Sequence, residues 1–299
     1  YAFYKCYSLT GSLIIPDSVI EIGDCAFSGC SKMEGSLIIG NSLENITSKM
    51  FQGFSKFRGY LYIGSKITRI ESHAFKDFSQ LIGELKIPES VTYIGDYAFN
   101  GCSNLFGPLN IPNSITYLGN YAFSGCSGFS ENLHISNSLQ IINKCTFEGC
   151  SGIENILRIP NSVTEICEKA FYGCSHFYGS LIIPNHVEVI GSYAFFMCYG
   201  LNDSLIIGDS LKMIETLTFA GCSYFSGKIK IGKNVEIIQN EAFKYFTNLT
   251  GQLKIPNSVI SIGDYAFYKC SNLKGFLDIN DSVENIGKYA FYQCSGFSK

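Results

Sequence analysis

Apolar residues recur along this chain with a period of 24 residues. A glycine-x-leucine-x-isoleucine pattern begins at Gly11 and returns every 24 residues until Gly275, with another residue replacing the glycine in three repeats. Counted from that glycine as position 1, position 5 is isoleucine and position 17 is phenylalanine in all twelve repeats. The repeats cover residues 11–298, and residues 1–10 match the last ten positions of a preceding repeat. A fixed period of this length is typical of repeat proteins.

The pattern inside one repeat predicts its elements. Positions 3 and 5 are apolar throughout whereas positions 2 and 4 vary, and this period of two predicts a short strand with one buried face. Proline or glycine at position 6, as in Pro16 and Gly40, ends the strand. Positions 9–12, for example Val91–Ile94, predict a second strand. Positions 14–20, which contain Ala-Phe-x-x-Cys, predict a tight turn or a helical turn.

One repeat is too short to bury its own apolar positions, so neighbouring repeats must stack. Identical positions then form ladders along the stack, with adjacent strands about 4.8 Å apart. We therefore predict one continuous β-rich repeat solenoid over residues 1–299. In this prediction it is a curved right-handed superhelix of 24-residue units, with parallel β-ladders and short helical turns.

Two segments of the repeat carry a family resemblance. They are Ile-Pro-x-Ser-Val-x-x-Ile-Gly, as in residues 255–263, and Ala-Phe-x-x-Cys, as in residues 266–270, and they recur along essentially the whole chain. The chain thus resembles the BspA-like class of leucine-rich repeats, whose members occur on the surfaces of mucosal bacteria and parasitic protists. The resemblance implies a cell-surface or secreted location and adhesion to host matrix proteins or to other cells. A solenoid fold does not itself specify a ligand.

Composition and charge narrow the classes of partner. The chain is 46% hydrophobic and only 16% charged, which indicates a packed protein, and its apolar residues are too evenly spread for a membrane span. A net charge of −3 without any run of basic residues argues against nucleic acid as a partner. The chain opens at Tyr1-Ala2-Phe3 without an initiator methionine, so we expect a fragment of a longer protein.

Most of the thirteen cysteines share one position of the repeat. Phenylalanine occupies position 20 in three repeats, at Phe54, Phe78 and Phe246, and phenylalanine can neither bind zinc nor cross-link. Position 20 is therefore predicted to be an apolar site that holds buried free thiols. The cysteines at this position are Cys6, Cys30, Cys102, Cys126, Cys150, Cys174, Cys198, Cys222, Cys270 and Cys294.

Three cysteines lie outside position 20. Cys25 and Cys145 occupy position 15 and Cys167 occupies position 13, where residues vary, so we expect these three side chains to be exposed. A disulfide between Cys145 and Cys167 is the alternative for that pair, because they lie in adjacent repeats.

The residues that carry catalysis do not converge in the pattern. The four histidines fall in separate repeats, and the outward positions 2 and 4 hold only two acids, Glu84 and Asp278. Metal sites, catalytic triads and acid pairs all need ligands or acids that converge. We expect no enzyme, no metal and no cofactor. Sequons at Asn45, Asn202, Asn248 and Asn280 either accept glycans or arise by chance in a chain rich in asparagine, serine and threonine.

Variation between repeats points to a binding face. Positions 2 and 4 of the first strand change freely while the inward positions barely change, which leaves the outward face available for recognition. One apolar and aromatic patch and one basic cluster stand out, although strand propensity alone also explains such residues. The candidate ligand-binding residues are Ile14, Ile38, Tyr60, Tyr62, Lys86, Arg158, Ile182, Ile206, Lys228, Lys230 and Lys254.

The sequence favours an adhesion module that binds a protein ligand, either a host matrix protein or a cell-surface protein, on its concave strand face. A structural scaffold or a self-associating surface array is the alternative. Terminal repeats with polar caps are missing from the pattern, so end-to-end self-association is a further expectation.

Overall fold

A computed structural model describes residues 1–298 of the chain. Contacts group these residues into two compact units. Unit 1 comprises Tyr1–Leu139 with Asn143–Ile153, and unit 2 comprises Gln140–Ile142 with the described residues from Glu154 onward. Each unit is a stack of coils in which one repeat forms one coil, so the predicted repeat solenoid with parallel β-ladders is confirmed. A single continuous domain over 1–299 stays a prediction.

The first ladder contains the Leu-x-Ile segments. Strands that pair within it do so in parallel and, apart from a register shift between residues 251–254 and 273–278, at intervals of 24 residues. Leu37, for example, lies between Leu13 and Leu61. The strands of this ladder are β1 (Leu13–Ile15), β2 (Leu37–Ile39), β4 (Leu61–Tyr62), β9 (Leu109–Asn110), β11 (Leu133–His134), β14 (Leu181–Ile182), β16 (Leu205–Ile206), β18 (Ile229–Lys230), β20 (Gly251–Lys254) and β22 (Leu273–Asp278).

The second ladder forms at positions 11 and 12, so its strands are shorter than the predicted span of positions 9–12. Position 12 points into the core and position 11 points outward, as in Arg69 and Ile70. The strands are β3 (Asn45–Ile46), β5 (Arg69–Ile70), β7 (Tyr93–Ile94), β10 (Tyr117–Leu118), β12 (Ile141–Ile142), β13 (Glu165–Ile166), β15 (Val189–Ile190), β17 (Met213–Ile214), β19 (Ile237–Ile238), β21 (Ser261–Ile262) and β23 (Asn285–Ile286).

The fourth repeat departs from the first ladder. Leu85 and Ile87 point inward as predicted, with exposed fractions of 4% and 9%, but they form no strand. Pairing occurs instead between β6 (Gly83–Glu84) and β8 (Leu105–Phe106). The next repeat has Pro108 at position 2, and proline has no N–H to donate to the preceding coil.

The segment at positions 14–20 is a turn, and residues 1–298 contain no helix. In the fifth repeat the N–H groups of Ser124 and Cys126 donate to the carbonyls three residues earlier, both at 3.2 Å. Position 15 is left-handed in all twelve repeats, with φ between 54° and 60°, although none of these residues is glycine. An L-residue in this conformation costs about 1–2 kcal/mol, which the hydrogen bonds between coils must offset.

Phenylalanine at position 17 forms the centre of the core in both units. In unit 1, successive rings stack with centroids 4.9–6.2 Å apart. In unit 2 the corresponding distances are 5.0–5.6 Å. Stacked phenylalanines bury large apolar areas at spacings that suit aromatic pairs.

Short polar side chains join consecutive coils at the surface. At position 7, Oδ1 of Asn113 accepts the N–H of Asn137 at 2.8 Å, and at position 14, Oδ1 of Asp96 accepts the N–H of Asn120 at 2.8 Å. Each acceptor satisfies a backbone donor of the next coil, which would otherwise need water. The pattern of apolar positions alone does not reveal these bonds.

The position-20 thiols are buried, as predicted, apart from the half-buried Cys6 and Cys294. Several of these thiols also donate a hydrogen bond to the backbone carbonyl of the phenylalanine 27 residues earlier. Cys126 Sγ, for example, donates to Phe99 O at 3.1 Å. Burial raises the pKa of the Cys126 and Cys150 thiols well above the ordinary value. Among residues 1–298, none of the thirteen cysteines is in a disulfide.

The expected exposure of the other three cysteines is wrong. Cys25 is 9% exposed, Cys145 is 1% exposed and Cys167 is half-buried. The side chain at position 15 lies against the same position of the neighbouring coil, as Cys145 does against Tyr121. That contact raises the pKa of Tyr121 to about 12, and burial raises the pKa of Cys145 to about 11.

We expect Cys126→Ala to lower the free energy of unfolding by about 1–2 kcal/mol, because it removes a buried sulfur and its bond to the Phe99 carbonyl. Urea unfolding followed by circular dichroism measures the change. The half-buried Cys6 provides the control, since Cys6→Ala should lower the free energy of unfolding by less.

A reducing agent should leave the melting temperature unchanged, and a clear drop in that temperature would mean that disulfides hold the stack.

Candidate binding face

The outward positions of the first ladder lie on the surface of unit 1. Register brings Ile14, Ile38 and Tyr62 side by side on three adjacent strands. Ile14 is 62% exposed and Tyr62 is 45% exposed, while Ile38 between them is half-buried. Tyr60, two residues before Tyr62, is 57% exposed. The predicted apolar and aromatic patch is therefore contiguous.

A cleft of about 530 Å³ lies beside this patch. Tyr60, Tyr62 and Lys86 line it together with Glu84 and Phe106. Leu61, Ile63, Ile87 and Pro88 complete the lining of this aromatic cleft. Its aromatic rings, apolar residues and two opposite charges suit the anchoring of a partner side chain.

Two residues of this site were missed by reasoning from positions 2 and 4. Phe106 occupies position 24 and is 50% exposed, and that position varies between repeats as freely as positions 2 and 4 do. Asn41 at position 7 accepts the Tyr62 hydroxyl at 3.2 Å and the Ser65 N–H at 3.0 Å through the same Oδ1. Asn41 therefore holds the Tyr62 ring in place from the preceding coil.

Unit 2 carries the other candidates on its first ladder. Arg158 pairs with Ile182, Ile182 with Ile206, and Ile206 with Lys230, and β18 lies beside the strand that carries Lys254. The outward side chains of this face form a basic row, which consists of Arg158, Ile182, Ile206, Lys228, Lys230 and Lys254. Except for the half-buried Ile206, all are exposed.

A groove of about 520 Å³ lies at the lysine end of the basic row, lined by Lys230, Lys233 and Lys254 over Ile229 and Ile231. Lys233 lies 3.8 Å from a carboxylate oxygen of Asp209. Within residues 1–298, Lys228, Lys230 and Lys254 form no ion pair. The groove therefore presents a net positive charge.

Family membership follows from comparison with known proteins. A model described as the BspA type leucine-rich repeat region, in six copies, matches residues 1–130, 129–250 and 177–298. The chain belongs to this family. The BspA-type resemblance expected from the repeats is thereby confirmed. The comparison with curated proteins finds no match.

Three solved structures are similar in fold to this BspA-type chain. A leucine-rich repeat protein from Bacteroides ovatus is 24% identical with a TM-score of 0.55, covering 92% of this chain and 80% of its own. A leucine-rich cell surface protein from Faecalibacterium prausnitzii is 21% identical with a TM-score of 0.51, covering 93% and 87%. A leucine-rich repeat protein from Eubacterium ventriosum is 18% identical with a TM-score of 0.58, covering 92% and 80%.

Histidines and acids of this BspA-type chain occur in both packed and exposed surroundings. His73 stacks on Tyr97 with centroids 4.9 Å apart, and burial lowers its pKa. His134 lines a cleft of about 380 Å³ in unit 1 together with Glu84 and Glu89. Among residues 1–298 no group of three or more His, Cys, Asp or Glu side chains is arranged to hold a metal ion. The same residues include no helix that is long and apolar enough to cross a membrane.

The turns of unit 2 carry an aromatic cluster that sequence reasoning also missed. Lys244 Nζ lies 5.2 Å from the ring centroid of Tyr245 and 5.6 Å from those of Tyr265 and Tyr268. The same ammonium pairs with Glu241 at 2.6 Å. These residues satisfy one another through cation–π contacts and an ion pair, so the cluster stabilises the turns.

Proposed function

We propose that this chain is a cell-surface or secreted module that binds a protein ligand through its first-ladder face. The observation that carries the proposal is the aromatic cleft of unit 1, where Tyr60, Tyr62 and Phe106 are all about half exposed. Exposed aromatic rings around a cleft are the usual anchors of protein interfaces. Host matrix proteins and host cell-surface proteins are the proposed ligands.

The rigidity of the ladder supports this proposal. Tyr62 is held by its strand pairing and by the hydroxyl bond to Asn41, so little side-chain freedom is lost on binding. Tyrosine also combines a large apolar ring with a polar end, which favours it at interfaces. The surface location draws support from the Faecalibacterium protein of similar fold, which is described as a cell surface protein.

A binding assay with paired tyrosine variants tests the proposal. The wild-type chain first captures its ligand from host extracellular matrix, and surface plasmon resonance then measures the dissociation constant. Tyr60→Ala with Tyr62→Ala should weaken binding by at least about tenfold, because central aromatic anchors contribute about 2 kcal/mol or more. Tyr199→Ala with Tyr224→Ala is the matched control, since both tyrosines are exposed and lie outside the first ladder.

The proposal would be contradicted if the wild-type chain and the two double variants bound the ligand with equal affinity. It would also be contradicted if both double variants lost affinity equally. Sedimentation velocity of the same proteins tests the alternative of a scaffold or self-associating array. A mass that grows with concentration, together with no matrix protein captured, would favour that alternative.

A further inference from the structure

We propose that the basic row binds an extended acidic peptide segment of the partner, in which an apolar side chain lies next to the carboxylates. The carboxylates bind to Lys228, Lys230 and Lys254, and the apolar side chain packs against Ile182 and Ile206. This inference rests on the proposed function and specifies the chemistry of the protein ligand.

The placement of the lysines is unfavourable without a ligand. Lys230 and Lys254 lie at the same position of adjacent coils, about 4.8 Å apart along the ladder. Lys228 lies on the same face two residues before Lys230, about 6.6 Å away. Like charges on neighbouring strands destabilise a sheet, so this arrangement is costly until an anion occupies it.

The surroundings leave most of this charge unneutralised. Of the outward residues on β16, β18 and β20, none is acidic, although the chain has 25 acids against 22 bases. Asp209 forms an ion pair with Lys233, so its charge is already balanced by that lysine. Asp278 lies beside Lys254 in the register of β20 and β22 and offsets one of the three charges. With Arg158 the row has four positive charges, and Asp203, whose carboxylate accepts the hydroxyls of Ser180 and Ser204 on the same face, offsets another of them. About two positive charges therefore remain on the row.

The apolar end of the row favours a peptide over a sulfated polysaccharide. Ile182 and Ile206 continue the row as an apolar pair, of which Ile182 is 53% exposed. A sulfated sugar chain has no apolar group for that pair, whereas a peptide with an apolar residue beside its carboxylates does.

Fluorescence anisotropy tests the inference with the full chain. The probe is a short fluorescein-labelled peptide that alternates glutamate with glycine and ends in isoleucine. Lys230→Gln with Lys254→Gln should weaken its binding by about tenfold, and moderate salt should weaken binding to the wild-type chain. Lys212→Gln with Lys288→Gln changes the net charge equally at exposed lysines outside the basic row, and should leave the affinity within about twofold.

Two results would overturn the inference. One is an equal affinity of the wild-type chain for the same peptide with glutamine in place of glutamate, or equal affinities of the two lysine variants. The other is displacement of the peptide by a heparin oligosaccharide that binds the row more tightly, which would identify a general polyanion site. Either result leaves the tyrosine assay on matrix ligand unaffected, so failure here is distinguishable from failure of the proposed function.

Discussion

Replacing Phe123 with alanine is expected to lower the free energy of unfolding by about 3–5 kcal/mol. Phe123 is fully buried, and its ring stacks between Phe99 at 5.1 Å and Phe147 at 6.2 Å. The substitution removes the ring from the middle of the ladder and leaves a cavity. The loss of transferred apolar surface and the cavity both destabilise the coil.

The cavity left by Phe123→Ala cannot collapse easily. The backbone on both sides is held by the ladder, since Phe123 N–H donates to Thr146 O at 2.9 Å and Phe99 N–H donates to Ala122 O at 2.8 Å. The loss in free energy of unfolding for Phe123→Ala should therefore lie near the upper end of the range of about 3–5 kcal/mol. Because each coil contacts only its neighbours, protection from hydrogen exchange should fall most in the adjacent coils.

Urea unfolding followed by circular dichroism measures the cost of Phe123→Ala. Phe106→Ala is the matched control, because the same ring is removed from a side chain that is 50% exposed. The control should change the free energy of unfolding by less than about 1 kcal/mol. Similar losses in the two variants would contradict the stacked-ring account of stability.

Raising the pH from 8 to 10 is expected to weaken both units steeply. Burial raises the pKa of the Cys126, Cys150, Cys198 and Cys270 thiols well above the ordinary value, and raises that of Cys222 to about 12. In the unfolded chain a thiol ionises with a pKa of about 8.5. Above that pH the unfolded state releases protons that the folded state keeps, so stability falls as pH rises.

Each buried thiol should contribute a slope of about 1.4 kcal/mol per pH unit above pH 8.5, and almost none below pH 8. Urea unfolding at a series of pH values measures the combined slope. Cys150→Ala should reduce it by the contribution of one thiol. Phe123→Ala is the control, because it lowers stability at every pH without changing the slope. Parallel curves for Cys150→Ala and the wild-type chain would show that Cys150 ionises in the folded state.

The sequence alone determined the repeat, its inward positions and its family. Strand side chains alternate between faces, so the fixed Leu-x-Ile pattern can only be satisfied if Leu85 and Ile87 point inward, as they do. Exchange of cysteine and phenylalanine at position 20 likewise identified a buried apolar site. These conclusions depend on which face of a strand or turn a residue occupies, and that information is local.

Only the tertiary structure decided the interactions between coils. The thiol of Cys126 reaches the carbonyl of Phe99, 27 residues earlier, and Phe106 joins Tyr60 and Tyr62 from a later repeat. The left-handed turn at position 15 buries Cys145, which a varied position did not indicate. Each of these interactions depends on how one coil packs against the next, because the contacting atoms are separated by a whole repeat along the chain. The apolar period gives the spacing of the coils, but the conformation of the turns decides which side chains meet.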